Sequence, residues 1–235
     1  MPGKSRSRIW GASITSKGLP EPRGPFLVLE GVEGAGKTTQ ARLLAEWLTL
    51  RRVSFELARE PGGTDVGEAI RHVVQDRPDL TVPCETELLL YLAARAAFVR
   101  EVVQPVLERG ELFIADRFSL STYAYQGYGR GLDLDEVRRL DRFATDGLVP
   151  DLYLVFDLPV EEGRARQKAG GKEDDRLEAA GSEFLEAVRR GYQELVTSDE
   201  RACLIDATGT ADQVHLRVKE TLRRKMPATF AALED

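Results

Sequence analysis

Phe26-Leu27-Val28-Leu29-Glu30 runs directly into Gly31-Val32-Glu33-Gly34-Ala35-Gly36-Lys37-Thr38-Thr39, an apolar strand pattern that breaks into a glycine-rich turn and then into a helical pattern. This spacing is a phosphate-binding loop. Glycines at 31, 34 and 36 let backbone N–H groups converge on phosphate oxygens in conformations that a side chain would obstruct. Lys37 is placed to reach the β- and γ-phosphates, and Thr38 to offer a hydroxyl to Mg²⁺. The helix that starts there aims its positive dipole end at the anion. The stretch from Gly31 to Thr39 therefore predicts a nucleoside triphosphate site.

Working outward, Ala41 to Leu48 carries Leu43, Leu44, Trp47 and Leu48 at helical spacing. Residues 53–57, Val-Ser-Phe-Glu-Leu, alternate with period two and predict a second strand that ends in Arg59-Glu-Pro-Gly-Gly-Thr64. Strand, helix and strand make a βαβ unit, which implies a parallel sheet covered on both faces with ligands at the carboxyl ends of its strands. Residues 111–115, 150–156 and 203–205 predict three further strands, five in all. Residues 85–109 predict one long helix with Pro105 as a site of bending, and 133–143, 184–195 and 211–223 three more. Asp116 and Arg117 fall where the third strand ends. Tyr91 and Arg95, four apart, share one helix face and can address one ligand together; the alternative is a half-buried Tyr beside a surface Arg. Residues 119–126 predict a short helix with a polar wall of Ser121, Thr122, Tyr125 and Gln126, and 127–131 a mobile glycine-rich loop.

At 235 residues the chain suits a single domain with its own core. A net charge of −6 argues against nucleic acid as the main partner. Cys84 and Cys203 have no metal-type spacing and read as two buried free thiols, which fits a reducing cytoplasm. No apolar run approaches the roughly 20 residues of a spanning helix, so no membrane partner is expected. Residues 1–24 hold Lys4, Arg6, Arg8, Lys17 and Arg23 against Glu21 alone, among Ser, Gly and Pro, and predict a disordered basic arm ahead of one domain over 25–235. An Arg- and Ser-rich transit peptide is the alternative. Residues 163–178 gather Arg164, Arg166, Lys168, Lys172 and Arg176 around Gly170-Gly171, the pattern of a glycine-hinged lid over a triphosphate.

Taken together, Glu33 within the phosphate-binding loop, Arg59-Glu-Pro-Gly-Gly-Thr64, Ala93-Ala-Arg95, Asp116-Arg117 and Ser121-Thr-Tyr-Ala-Tyr-Gln126 resemble the thymidylate kinases. The resemblance covers about residues 26–223. It implies the P-loop nucleoside monophosphate kinase fold, an α/β fold with a five-stranded parallel sheet flanked by helices and a mobile lid. It also implies transfer of the γ-phosphoryl of ATP to dTMP with Mg²⁺, and a homodimer. By the same resemblance Glu33, Arg59, Tyr91, Arg95, Asp116, Arg117, Thr122, Tyr125 and Gln126 bind dTMP. Tyr91 stands where the family more often has Phe, and Phe118 where Tyr or His commonly follows the Asp-Arg pair. With Glu33 and Ala35 in the loop and no arginine, the chain resembles the bacterial type, in which Arg166, Lys172 and Arg176 of the lid join Lys37 in catalysis. A GTPase reading fails because the chain holds no asparagine for a guanine-reading Asn-Lys-x-Asp segment. An ATP-driven nucleic-acid module would leave Tyr91, Arg95, Asp116 and Arg117 without a task, and a nucleoside acceptor would leave two arginines unpaired.

Overall fold

The computed structural model describes residues 23–77, 79–171 and 181–233. Its centre is a five-stranded parallel sheet of β1 (Phe26–Gly31), β2 (Phe55–Arg59), β3 (Leu112–Asp116), β4 (Leu152–Asp157) and β5 (Ala202–Asp206), in the order β2-β3-β1-β4-β5. The sequence explains that order. Every residue of β1 is buried, and β3 and β4 are buried up to their last residue, as strands covered on both faces require. β2 has no fully buried residue and β5 exposes Leu204 and Asp206, and these two form the edges.

β1 leads leftward to β2 through α1 (Lys37–Leu50), whereas the later connections run rightward. The right-handed crossover from β1 to β2 puts α1 on one face, where the final long helix, α9 (Ala211–Lys225), packs against it after the last strand. The other face carries α3 (Cys84–Phe98), α4 (Gln104–Glu108), α6 (Leu134–Ala144) and α8 (Ser182–Ser198). α2 (Asp65–Gln75), capped by the Thr64 hydroxyl, packs on α3. No described helix is long and apolar enough to cross a membrane.

Four expectations change. The second strand spans Phe55–Arg59 rather than 53–57, because its ladder with β3 runs from Phe55↔Leu112 to Arg59↔Asp116, and that pairing outweighs local alternation. The long helix predicted over 85–109 is three pieces. Between α3 and α4 lies a π-helical turn, Val99–Val103, in which the Gln104 N–H bonds to the Val99 carbonyl. Pro105 follows directly and has no N–H for the ladder.

Residues 127–131 do not form a mobile loop. After the single turn α5 (Ser119–Thr122), a second π-helix covers Tyr123–Gly129, and the Arg130 N–H bonds back to the Tyr125 carbonyl at 2.9 Å. Gly127 is buried, and a Cβ on Gly129 would lie 2.6 Å from the Phe184 ring of α8, so glycine here permits close helix packing. Last, residues 1–22 of the expected arm lie outside the described residues, whereas its end, Arg23 and Gly24, is described. Arg23 bonds to Val149 O and Asp151, and the Gly24 N–H to Leu107 O at 2.8 Å, so both belong to the body.

The expected lid, 163–178, overlaps α7 (Val160–Ala169) and the turn at Gly170-Gly171. Lys172 and Arg176 lie outside the described residues.

Candidate active site

The carboxyl ends of β1, β2 and β3 open into one cleft of about 1490 Å³, more than one nucleotide fills. The phosphate-binding loop forms its middle. Gly34 and Gly36 have φ of 74° and 88°, left-handed values that favour glycine, and Gly36 precedes the first residue of α1. The loop is braced from behind: a Cβ on Gly34 would lie 2.3 Å from the Gly163 carbonyl oxygen of α7, and one on Gly163 2.8 Å from that of Glu33.

Lys37 is 6% exposed and donates to the carbonyl oxygens of Gly31 and Val32 at 3.0 and 2.9 Å. Burial, with Arg117 nearby, lowers its pKa to about 8. Thr38 points its hydroxyl at Asp116 Oδ2, 3.4 Å away. A hydroxyl beside a carboxylate suits Mg²⁺, which takes few protein oxygens and completes its shell with water and phosphate. Among the described residues there is no cluster of three or more His, Cys, Asp or Glu able to hold a metal.

Arg117 has a φ of 77°, rare outside glycine, immediately after β3. That turn sends its guanidinium back over the loop, where it donates to Gly31 O and Ser121 Oγ, pairs with Glu33, and lies 5.2 Å from the Tyr125 ring centre. Arg59, at the end of β2, is half exposed and pairs with Glu68 at 3.2 Å.

Tyr91, Arg95, Thr122, Tyr125 and Gln126 all line the same cleft. Arg95 differs from the expectation that it shares an open helix face with Tyr91. Its guanidinium is 3% exposed and donates to Glu60 (2.8 Å), Asp141 (2.7 Å), Thr122 Oγ1 (2.9 Å) and Phe118 O (3.0 Å). Two buried carboxylates share one cation. Desolvation pushes the Glu60 carboxyl up to about 7, and its Oε1 has no hydrogen-bond partner among the described residues.

Sequence reasoning missed three further parts. Glu30 closes an otherwise apolar strand, which was its only signal. It is fully buried and accepts from Phe118 N (2.9 Å), Ser121 N (3.1 Å), Ser121 Oγ (2.5 Å) and Tyr192 Oη (3.0 Å). Burial raises its pKa. Arg71 of α2 also lines the cleft and donates to Pro61 O. The far end of the cleft beyond α1 is walled by Arg42, Gly209, Ala211 and Val214. There Gln40 bonds to Ala211 O (2.8 Å) and His215 (3.1 Å), and Arg166 to Ala207 O (3.1 Å) and Glu162 (2.7 Å).

A sequence model of the thymidylate kinase family matches residues 29–218, most of the chain and all of this cleft's strands but the start of β1. The chain belongs to the thymidylate kinase family. It is 46% identical over 206 residues to the thymidylate kinase of Desulforudis audaxviator, covering 85% of this chain and 92% of that one. With the enzyme of Ectopseudomonas mendocina it shares 45% over 200 residues, 85% and 95% of the two chains. The crystal structure of thymidylate kinase from Ehrlichia chaffeensis superposes with a TM-score of 0.70 at 29% identity, over 86% of this chain and all of the other. Membership makes the chain a phosphotransferase of nucleotide biosynthesis that acts on dTMP, on the P-loop nucleoside monophosphate kinase fold.

Proposed function

We propose that the chain moves the γ-phosphoryl group of ATP onto the phosphate of dTMP in one cleft, with the two nucleotides entering from opposite ends. The observation that carries this reading is the position of Lys37 and Arg117, both at the phosphate-binding loop and both resting on carbonyl oxygens of that loop. Phosphates that enter there replace the carbonyls as acceptors. The loop N–H groups of residues 31–39 and Lys37 hold the ATP phosphates, and Arg117 and Arg59 hold the phosphate of dTMP. The adenine side falls to Arg42, Ala211 and Val214, and the thymine side to Tyr91, Arg95, Thr122, Tyr125 and Gln126.

Thr38 and Asp116 would hold Mg²⁺, which would supply neutralisation of phosphate charge during transfer. Glu33 holds Arg117 ready until the 3′-hydroxyl side of the acceptor arrives. Arg166 reaches the donor side from α7, and Lys172 and Arg176 complete the basic set. The enzyme works as a homodimer in the cytoplasm. Val66 of α2 and Leu89 of α3, each more than half exposed on helices that pack together, offer an apolar face for the second copy.

A coupled ADP-release assay over dTMP, dUMP, CMP, UMP and AMP tests the reading. The highest kcat/KM is expected for dTMP, and a comparable value for CMP, UMP or AMP would reject the assignment of the thymine side.

A further inference from the structure

Glu87 of α3 is a carboxylate with 1% of its surface exposed, and phosphoryl transfer gives it no task. Its Oε1 accepts from Gln126 Nε2 at 2.8 Å and from Arg130 Nε at 3.3 Å, and its Oε2 from Arg130 Nη2 at 3.2 Å. An ionised carboxylate accepts hydrogen bonds and donates none. The Gln126 amide must therefore turn its NH₂ group toward Glu87. The opposite orientation would press a carbonyl oxygen against a carboxylate in a buried site, with no donor between them.

Gln126 is 2% exposed and lines the cleft. With its nitrogen committed to Glu87, its carbonyl oxygen lies on the other side of the amide and accepts from none of the described residues. The side chain has no slack. Its backbone sits in the π-helix Tyr123–Gly129, which α8 clamps through the Gly129–Phe184 approach, and the Arg130 guanidinium stacks on Phe184 at 4.6 Å.

We infer that Glu87 is a positioning residue for base discrimination, fixing the Gln126 amide so that the cleft meets the acceptor ring with a hydrogen-bond acceptor. Such a site welcomes a pyrimidine whose ring nitrogen carries a proton, as in thymine and uracil. It opposes cytosine, whose ring nitrogen at that edge is a lone pair. The selectivity comes from the mismatch of two acceptors as much as from the matched pair. This rests on the reading that the acceptor base lies against Gln126, which the experiment checks separately.

Glu87→Gln keeps the shape but can face Gln126 with either end of its amide, so the orientation is no longer imposed. The ratio of kcat/KM for dTMP to that for dCMP is expected to fall at least about tenfold, by loss with dTMP and gain with dCMP. Arg130→Gln removes the same ion pair while leaving the carboxylate, and its ratio is expected to stay at the wild-type value. If E87Q lowers both substrates equally, or if R130Q lowers the ratio as much as E87Q does, the inference is overturned. Gln126→Leu separates the premise: unchanged kcat/KM for dTMP in that variant would refute the placement of the base rather than the role of Glu87.

Should E87Q not fold, the exchanged pair Glu87→Gln with Gln126→Glu decides. It restores a donor opposite an acceptor and still shows the cleft an acceptor oxygen. It is expected to prefer dTMP within about threefold of the wild-type ratio, and loss of that preference would overturn the inference.

Discussion

The two ends of the cleft hold their cations in opposite ways. At the loop, Lys37 and Arg117 lean on backbone carbonyls and on Glu33, partners that a phosphate can replace. At the base end, Arg95 is locked between Glu60 and Asp141, deep in the protein and with four acceptors already engaged. Recognition of phosphate needs charge that can be redirected toward a flexible, multiply charged group. Recognition of a flat, neutral ring needs direction, which only a rigid network keeps. One residue type thus serves as mobile charge at one end and as framework at the other.

The largest expected effect tests the mobile end. Lys37→Ala removes the cation proposed to pass from the loop carbonyls to the phosphates, and kcat should fall by roughly 10³-fold or more while the urea midpoint hardly changes. Near wild-type turnover in the folded variant would refute the assignment.

Next comes a paired test of the two arginines. Arg95→Ala leaves two buried carboxylates without their cation and should cost about 3–5 kcal/mol of stability, read from urea unfolding. Arg117→Ala should leave the midpoint nearly in place and lower kcat/KM for dTMP about a hundredfold. Equal losses of stability in both variants would erase the contrast.

The third effect is one of pH. Lys37 has its pKa lowered to about 8 in the free protein, so its charge fades as pH rises through that value, whereas a bound triphosphate favours the charged form. ATP binding should take up a proton above pH 8, and its Kd should rise by up to about tenfold per unit of pH. Calorimetry in buffers of different ionisation enthalpy measures the uptake; a Kd flat from pH 7 to 9.5 would contradict it.

The smallest effect belongs to the rigid end. Glu60, raised by desolvation from 4.5 to about 7, keeps its proton in the folded state between those two values, where the unfolded chain has lost it; above 7 it is the carboxylate that pairs with Arg95. Its contribution to stability is therefore full below about pH 4.5 and is lost as pH rises through 7, at a slope of at most about 1.4 kcal/mol per unit. Glu60→Gln should flatten that slope in urea midpoints compared between pH 5 and 7.5. A slope identical to wild type would place the proton elsewhere.

The mobile end was also the legible one. Gly34, Gly36, Lys37 and Thr38 lie on one contiguous stretch of backbone, so spacing alone carried the fold and the place of the glycine-rich loop. The base end is assembled from residues far apart in the chain. Arg95 finds Glu60 and Asp141 at separations of 35 and 46 residues, and helical spacing to Tyr91 said nothing of either. Glu30 and Tyr192, 162 residues apart, meet only because α8 packs beside β1's carboxyl end. Gly129 announced flexibility and instead admits an aromatic ring. The start of β2 was misplaced for the same reason: its register is a property of β3.

The backbone contact of Gly34 with Gly163 makes α7 a lever whose bearing is the phosphate loop itself. From that bearing to Gly170 the helix is seven residues long, about 10 Å at the usual rise, so a tilt of about 10° at the fulcrum carries the far end through about 2 Å. With no side chain between the two backbones to act as a cushion, a loop that shifts by a few tenths of an ångström on filling has no slack to absorb it. Any methyl group placed at either glycine would prop the joint open, and the occupant of the loop would then go unfelt at the tip of the helix.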